Sequence, residues 1–447
     1  MKKFLTRLGI ISVFALFSIF MLSCTDNENN SETEQNGKYG SLYTEAEFNK
    51  CYSDNPQKKE ITFLLDVEKW GGVVTSNSSN NYHVRGSFNT WKDDNAYKLT
   101  LDSSNKFYSL TVSYDKVATL GNSGHPEYKF NINGTDDGYL VAKDKSFIPA
   151  PYCFHTSDYN LILIFEGEDI EDIKKCSEQA GTLRTKLSDW DFSKEEEKEK
   201  FANFRKVPGT TNVYRSWHPF KTKYKKNAEN KKFLYETEPK RAKMVQEMYK
   251  NYDIKSDICL SNDETTSLSS YPIEGGTTTY TESVPDFYKN MVAAGDVCNV
   301  TYKKADGTAI GPEYKYIYQA DYNEEYLNGW LQNIIDFVKE NHPAPYNIHC
   351  RLGNDRTGYY CAVVAGLCGA TWEQIANDYQ SSNNTFLGEY RDQRLLKQVF
   401  EKQFTGGEDI SKITNLKDTM YKYYTTNSKK RITKEDLDAL VKKFTAN

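Results

Sequence analysis

The run His349-Cys350-Arg351-Leu352-Gly353-Asn354-Asp355-Arg356-Thr357-Gly358 sets a thiol and a guanidinium six positions apart, with a glycine between them and Thr-Gly after them. Residue types and spacing both suit phosphate. A thiolate at Cys350 attacks phosphorus, the Arg356 fork holds two equatorial oxygens, and loop N–H groups at the start of a helix bind the rest. The cradle is then Arg351, Leu352, Gly353, Asn354, Asp355 and Arg356, with Gly353 letting the backbone approach closely. A free thiol ionises near about 8.5, and a helix N-terminus with a cationic neighbour lowers that value. His349 is expected to order the loop through hydrogen bonds. Thr357 can hydrogen-bond the thiolate and help it leave in a second, hydrolytic step. The guanidinium and the backbone supply the positive field a metal would supply, so neither metal nor cofactor is expected.

Such chemistry needs a general acid to protonate the leaving oxygen. Asp321 lies 29 positions before Cys350, between an alternating stretch, Tyr314 to Tyr318, that reads as a strand and the amphipathic helix Tyr326 to Glu340. It leads the candidates because the cysteine loop resembles that of dual-specificity phosphatases, and the resemblance implies an Asp roughly thirty residues ahead of the Cys. Asp355, inside the loop, is its rival, and Glu324 or Glu325 is a third option. An acid at Asp321 could instead serve only the dipole of the helix that follows.

The elements that must position these groups read as an α/β region over 201–447. Tyr346 to His349 is the strand feeding the loop, and Gly358 to Leu367 is apolar enough for a helix buried on all sides. Leu327, Trp330, Leu331, Ile334, Ile335 and Val338 share one face of the preceding helix. Val213-Tyr214-Arg215 and Ile258-Cys259-Leu260 read as short strands. Lys240 to Tyr249, Trp372 to Tyr379, Gln393 to Gln403 and a segment capped by Thr433 and ending near Phe444 read as helices. Upstream, 60–166 reads as all-β: Ile61 to Leu65, Tyr97 to Leu101, Tyr108 to Val112 and Tyr159 to Phe165 are strand-like, separated by Gly, Asn, Asp and Ser at the spacing of a β-sandwich. Between the two regions, 167–200 is charged and reads as a connector.

A chain of 447 residues exceeds one core. A formal charge of −5 argues against a nucleic-acid partner. Lys2, Lys3 and Arg7 precede an apolar run, Leu8 to Leu22, that is short for a spanning helix. Nine cysteines show no Cys-x-x-Cys pair. In an exported chain Cys51 could pair with Cys153, bracketing the first region. Cys361 and Cys368, on an apolar helix face, are expected to be inert.

Leu22-Ser23-Cys24 resembles the lipobox of a bacterial lipoprotein signal. That resemblance implies cleavage after residue 23, lipidation of Cys24, a tether and lead-in over 24–59, and a cell-envelope location, periplasmic or surface-exposed. The cysteine loop resembles the protein tyrosine phosphatase superfamily. Asn203-Phe204-Arg205, Val213-Tyr214-Arg215-Ser216 and Gly369 to Ile375 followed by Asp378-Tyr379 and Ser382-Asn383 resemble its secreted bacterial tyrosine phosphatases. The resemblance implies a phosphocysteine mechanism on a phosphorylated protein, with tyrosine or dual specificity. Where that group has I-D-L-R, this chain has Ile258-Cys259-Leu260-Ser261. Inositol phosphates or phosphoinositides are an alternative substrate, although enzymes of that kind with a similar Asp-Arg-Thr ending often carry Lys where Asn354 stands. Residues Tyr82 to Trp91 and Glu127 to Gly134 resemble early-set, Ig-like modules that bind glycogen or starch. In such a module Trp91 would stack on a sugar face and Lys129 would donate to hydroxyls, leaving a phosphoglucan substrate as a further reading and a phosphate- or glycan-binding pseudophosphatase as the non-enzyme one. The second aromatic usual in that family is replaced by Thr135, Asp136 and Asp137.

Overall fold

The computed structural model describes residues 52–67, 74–76, 79–134, 161–163, 165, 187–220, 237–261, 284–384 and 391–446. The expected signal, the lipidated Cys24, Cys51, Cys153 and Thr135 to Asp137 lie outside the described residues. Among the described residues no helix is long and apolar enough to cross a membrane.

The first region holds strands β1 (Tyr52–Asn55), β2 (Glu60–Asp66), β3 (Tyr82–Gly86), β4 (Thr100–Leu101), β5 (Phe107–Ser113), β6 (Glu127–Ile132) and β7 (Leu161–Ile162). They form two antiparallel sheets, ordered β1-β2-β5-β4 and β3-β6-β7. Alternation in β2 puts Ile61, Phe63 and Leu65 inward. Phe63 meets Tyr128 and Phe88 of the other sheet's side, at ring centroids of 5.0 and 6.2 Å, and Tyr82 meets Tyr108 at 4.4 Å. The expected strand Tyr97 to Leu101 is extended only at its end. Asp94 accepts a hydrogen bond from Ala96 N and bends Asn95–Tyr97 into a 3₁₀ turn.

The second region begins within the charged stretch. Helix α1 (Glu195–Phe201) buries Phe201 and ties Lys198 Nζ to Glu247 at 2.6 Å, so the end of that stretch packs on α2 (Thr237–Asn251). Strands β8 (Arg205–Lys206), β9 (Val213–Ser216), β10 (Ser256–Cys259), β11 (Val297–Asn299) and, after the small hairpin β12 (Tyr302–Lys303) and β13 (Ala309–Ile310), β14 (Tyr346–His349) make the framework. The five-stranded sheet runs β11-β10-β14-β9-β8; three of its four pairs are parallel, and the edge strand β8 pairs antiparallel with β9. The strand that feeds the cysteine loop is thus central, with His349 in register with Cys259 on one side and Ser216 on the other. In such sheets ligands bind beyond the carboxyl ends of the strands.

Helices α3 (Asp286–Ala294), α4 (Tyr314–Tyr318), α5 (Glu324–Lys339), α6 (Asp355–Leu367), α7 (Trp372–Ser381), α8 (Gln393–Phe400), α9 (Leu416–Lys422) and α10 (Lys434–Phe444) complete it. All six apolar positions of α5 named above are buried, and every residue of α6 from Thr357 to Leu367 is buried. Met248 of α2 is core and Met244 packs against it. Thr433 accepts from Asp436 N and caps α10. Segment 314–318 is a correction: it is a helical turn, not a strand. Five residues satisfy either period. Here Tyr314 and Tyr318, four apart, put their rings 5.1 Å from each other on one helix face.

Candidate active site

Cys350 follows directly on β14 and is 2 % exposed. The chain then makes the turn Arg351–Asn354 and enters α6 at Asp355. Gly353 holds φ +69°, and a Cβ there would stand 2.5 Å from Ser216 O. Among the described residues the N–H groups of Leu352, Gly353 and Asn354 donate to no protein acceptor. They immediately precede α6, whose N-terminal dipole adds positive potential. Burial pushes the Cys350 thiol up, but the Arg356 charge, the Thr357 hydroxyl and the Thr357 N–H pull it down further, and the net result is a lowered pKa. Arg356 Nη1 donates to Leu260 O at 2.9 Å and Pro312 O at 3.4 Å, which fixes the fork beside the loop.

The loop is braced from behind by residues far away in sequence. Arg215 and Asn203 both donate to Gly353 O, at 2.7 and 3.1 Å. Arg215 also pairs with Asp378, as does Arg205, whose Nε is 2.6 Å from Oδ1. Burial raises the Asp378 carboxyl, and the two guanidiniums more than reverse this, so it is held below the usual carboxylate range. The Asn203, Arg205, Arg215, Asp378 and Ser382 stretches that carried the resemblance therefore converge on one carbonyl of the phosphate loop. Arg205→Ala should cost about 2 kcal/mol of stability, the size of a charge-assisted hydrogen bond lost at a part-buried site. Urea denaturation will read this, and a loss under about 0.5 kcal/mol would show Asp378 satisfied by Arg215 alone.

His349 is wholly buried. Its Nδ1 donates to Cys350 O at 3.1 Å and its Nε2 to Asp257 Oδ2 at 2.8 Å. Both partners are acceptors, so both ring nitrogens carry protons. Burial alone would lower the imidazole; Asp257 overrides it and raises the pKa to about 10. Asp257 also accepts from Tyr249 and Tyr288, and Asn347 Nδ2 donates to Tyr249 Oη at 2.7 Å. The sequence reading missed Asp257. Its signal was a lone acid inside an otherwise buried strand, two residues before Cys259. Among the described residues His218, Cys259 and His349 bring ligand atoms within 4.8 Å of one another. With both His349 nitrogens protonated, that set offers no third lone pair to a metal.

The acid candidates separate. Asp321 is exposed in the turn between α4 and α5 and has no hydrogen bond or ion pair among the described residues. Glu324 accepts from Lys429 N and Glu325 from Tyr302, both away from the loop. Asp355 accepts from Arg391 Nε at 2.7 Å and is close enough to act on the Cys350 thiol. Tyr318 Oη donates to Asp355 O at 3.1 Å. Arg351 is half-buried, and its carbonyl accepts from His218 N; Leu352 packs toward the α2 side. Asn354 is buried against Asn203. Cys361 and Cys368 have burial-raised pKa values of about 12. In the first region Lys129 Nζ stands 5.9 Å from the Trp91 ring centre.

Residues 287–444 match the tyrosine phosphatase family. This domain makes the chain a phosphoric monoester hydrolase. No curated protein matches the chain. The family match takes in the loop, α4 to α10 and Arg391. The bracing Asn203, Arg205, Arg215 and Asp257 lie before its first residue, yet belong to the phosphatase sheet or its margin.

Proposed function

We propose that the chain is a cysteine-dependent phosphatase acting through a phosphocysteine at Cys350, with phosphotyrosine or dual-specificity protein substrates. The observation that carries this is the Cys350 thiol with its lowered pKa beneath a loop of undonated N–H groups and beside Arg356. In the first step Cys350 Sγ bonds to phosphorus as the ester P–O bond breaks, and a carboxylic acid protonates the departing oxygen. In the second, water attacks phosphorus and gives its proton to the carboxylate left by the first step, as the S–P bond breaks and the thiolate leaves, helped by Thr357. Arg356 holds the equatorial oxygens throughout.

We assign the proton to Asp355 rather than Asp321, because Asp355 lies at the loop and acts on the thiol while Asp321 is exposed and unattached to it. The aromatic rings of Tyr314 and Tyr318 beside Asp355 favour an aryl ester. Residues 1–23 are read as a signal removed ahead of a lipidated Cys24, which would place the enzyme in the cell envelope, and the first region as an Ig-like module.

Asp355→Asn is expected to cut kcat on phenyl phosphate about 10²–10³-fold and on p-nitrophenyl phosphate far less, since the better leaving group needs less help. Asp321→Asn should change neither. Rates on both esters with each variant decide it, and the reverse pattern would move the proton to Asp321. Acid quench during turnover should also trap phosphate on Cys350. Steady turnover with no such adduct would sink the covalent mechanism.

A further inference from the structure

One turn of the first region reaches the catalytic region. Asp392 N donates to Asn122 O at 2.8 Å, and Arg394 Nη1 donates to His125 Nε2 at 2.7 Å. Gln398 Nε2 donates to Ala118 O at 3.2 Å, and its Oε1 accepts from Leu120 N at 3.4 Å. Leu120 packs on the phosphatase core. Ser123, Gly124 and His125 are buried. Gly124 holds φ +76°, and a Cβ there would stand 2.9 Å from Asp392 Oδ1 and 3.0 Å from Arg394 Cδ, so the fit is one only glycine allows.

From this turn two short paths lead to Asp355. Asp392, held by Asn122, caps α8 through Arg394 N. Its neighbour Arg391 is gripped by Asn383 at both main-chain groups, at 2.8 and 2.9 Å, and points Nε at the Asp355 carboxylate. Along the second path Tyr314 Oη donates to Asn122 Oδ1 at 3.3 Å, the Tyr314 ring lies against Tyr318, and Tyr318 Oη holds Asp355 O. One path fixes the carboxylate and the other the main chain of the same residue.

We infer that the 118–125 turn of the N-terminal β region is a positioning part of the phosphatase site, in which Asn122, seated against Asp392 and Tyr314, sets Arg391 and Tyr318 and so aims the Asp355 carboxylate at the leaving oxygen. The N-terminal region is then not a separate appendage but the outer support of the proton donor, and Arg391 is a positioning residue. The inference rests on Asp355 as donor.

The test is a double-variant cycle in the full chain. Gly124→Val, which wedges the turn away from Asp392, should lower kcat on phenyl phosphate about tenfold and on p-nitrophenyl phosphate about twofold, as a small displacement of a catalytic group does. In the Asp355→Asn background the same change should cost less than about twofold, because the two substitutions remove one function. Losses that multiply, losses equal on both esters, or wild-type rates for Gly124→Val would overturn the inference. If Gly124→Val does not fold, Asn122→Ala carries the same cycle. Asp355→Asn showing no selective loss on phenyl phosphate would remove the donor reading and this inference with it. A selective loss there without coupling to residue 124 would remove the inference alone.

Discussion

Cys350→Ser should leave a folded protein whose turnover of p-nitrophenyl phosphate is at least about 10⁴-fold lower, the scale seen when a covalent nucleophile is lost. The substitution exchanges one atom, so packing around a side chain that is 2 % exposed barely changes. What changes is the anion. In a desolvated pocket the thiol would ordinarily be harder to ionise. Here burial is outweighed by Arg356 and by the Thr357 hydroxyl and N–H, and the thiolate becomes the accessible form. A serine hydroxyl starts so far above that range that the same groups cannot bring it down. The cradle itself stays, because the bracing of Gly353 O by Arg215 and Asn203 does not involve sulfur. Inorganic phosphate should therefore bind the variant within about threefold of its wild-type affinity, the loss falling on kcat rather than on binding. Iodoacetate supplies the matching measurement on the wild type. Its rate should rise with pH to a plateau at a midpoint below that of an ordinary thiol and vanish in Cys350→Ser. A midpoint at or above the ordinary value, or residual turnover above about one hundredth of wild type, would place the nucleophile elsewhere.

What could be read without coordinates was what repeats or stays close in the chain. Helix α5 is legible because its apolar positions recur over several turns, and α6 because it is apolar all round. The loop is legible because its parts fall within ten residues. Tyr314 to Tyr318 was misread because five residues are too few to tell a period of 2 from one of 3.6, and only the contact between its tyrosines decides. The partner of Asp257 was not legible, although a lone acid in a buried strand marked the residue. Asp257 meets His349 across a separation of 92 residues, and only the parallel register of β10 with β14 brings the two together. Arg215 could be marked from a familiar stretch, but that it holds Gly353 O, 138 residues away, depends on β9 lying on the other side of β14. Asn122 and Tyr314, 192 apart, belong to different regions of the chain, and no spacing rule links them. Chemistry was local, while its support was topological.

The largest of those hidden supports should also give the largest stability effect. Asp257 and His349 are both fully buried, and the pair joins β10 to the last residue of β14, immediately before the nucleophile. In the folded protein His349 keeps its proton to about pH 10, against an ordinary 6.5, burial working against this and Asp257 overcoming it. A raised pKa means the pair's contribution is complete below pH 6.5 and is lost progressively as pH climbs through about 10. Asp257→Asn keeps one oxygen acceptor where Tyr249 and Tyr288 used two, and it removes the anion, so His349 must be buried either as an unpaired cation or as a neutral ring that has given up one donor. Either way the cost should be about 3–5 kcal/mol, the usual result of breaking a buried pair from one side. Activity should fall with it, because His349 Nδ1 holds the Cys350 carbonyl that begins the loop. Urea denaturation at steps from pH 6 to pH 10 is the measurement. Wild-type stability should decline across that range relative to its value at pH 6, and the Asp257→Asn curve should start lower and run flatter. If the variant keeps the wild-type slope, His349 is not the cation that the two acceptors around it require.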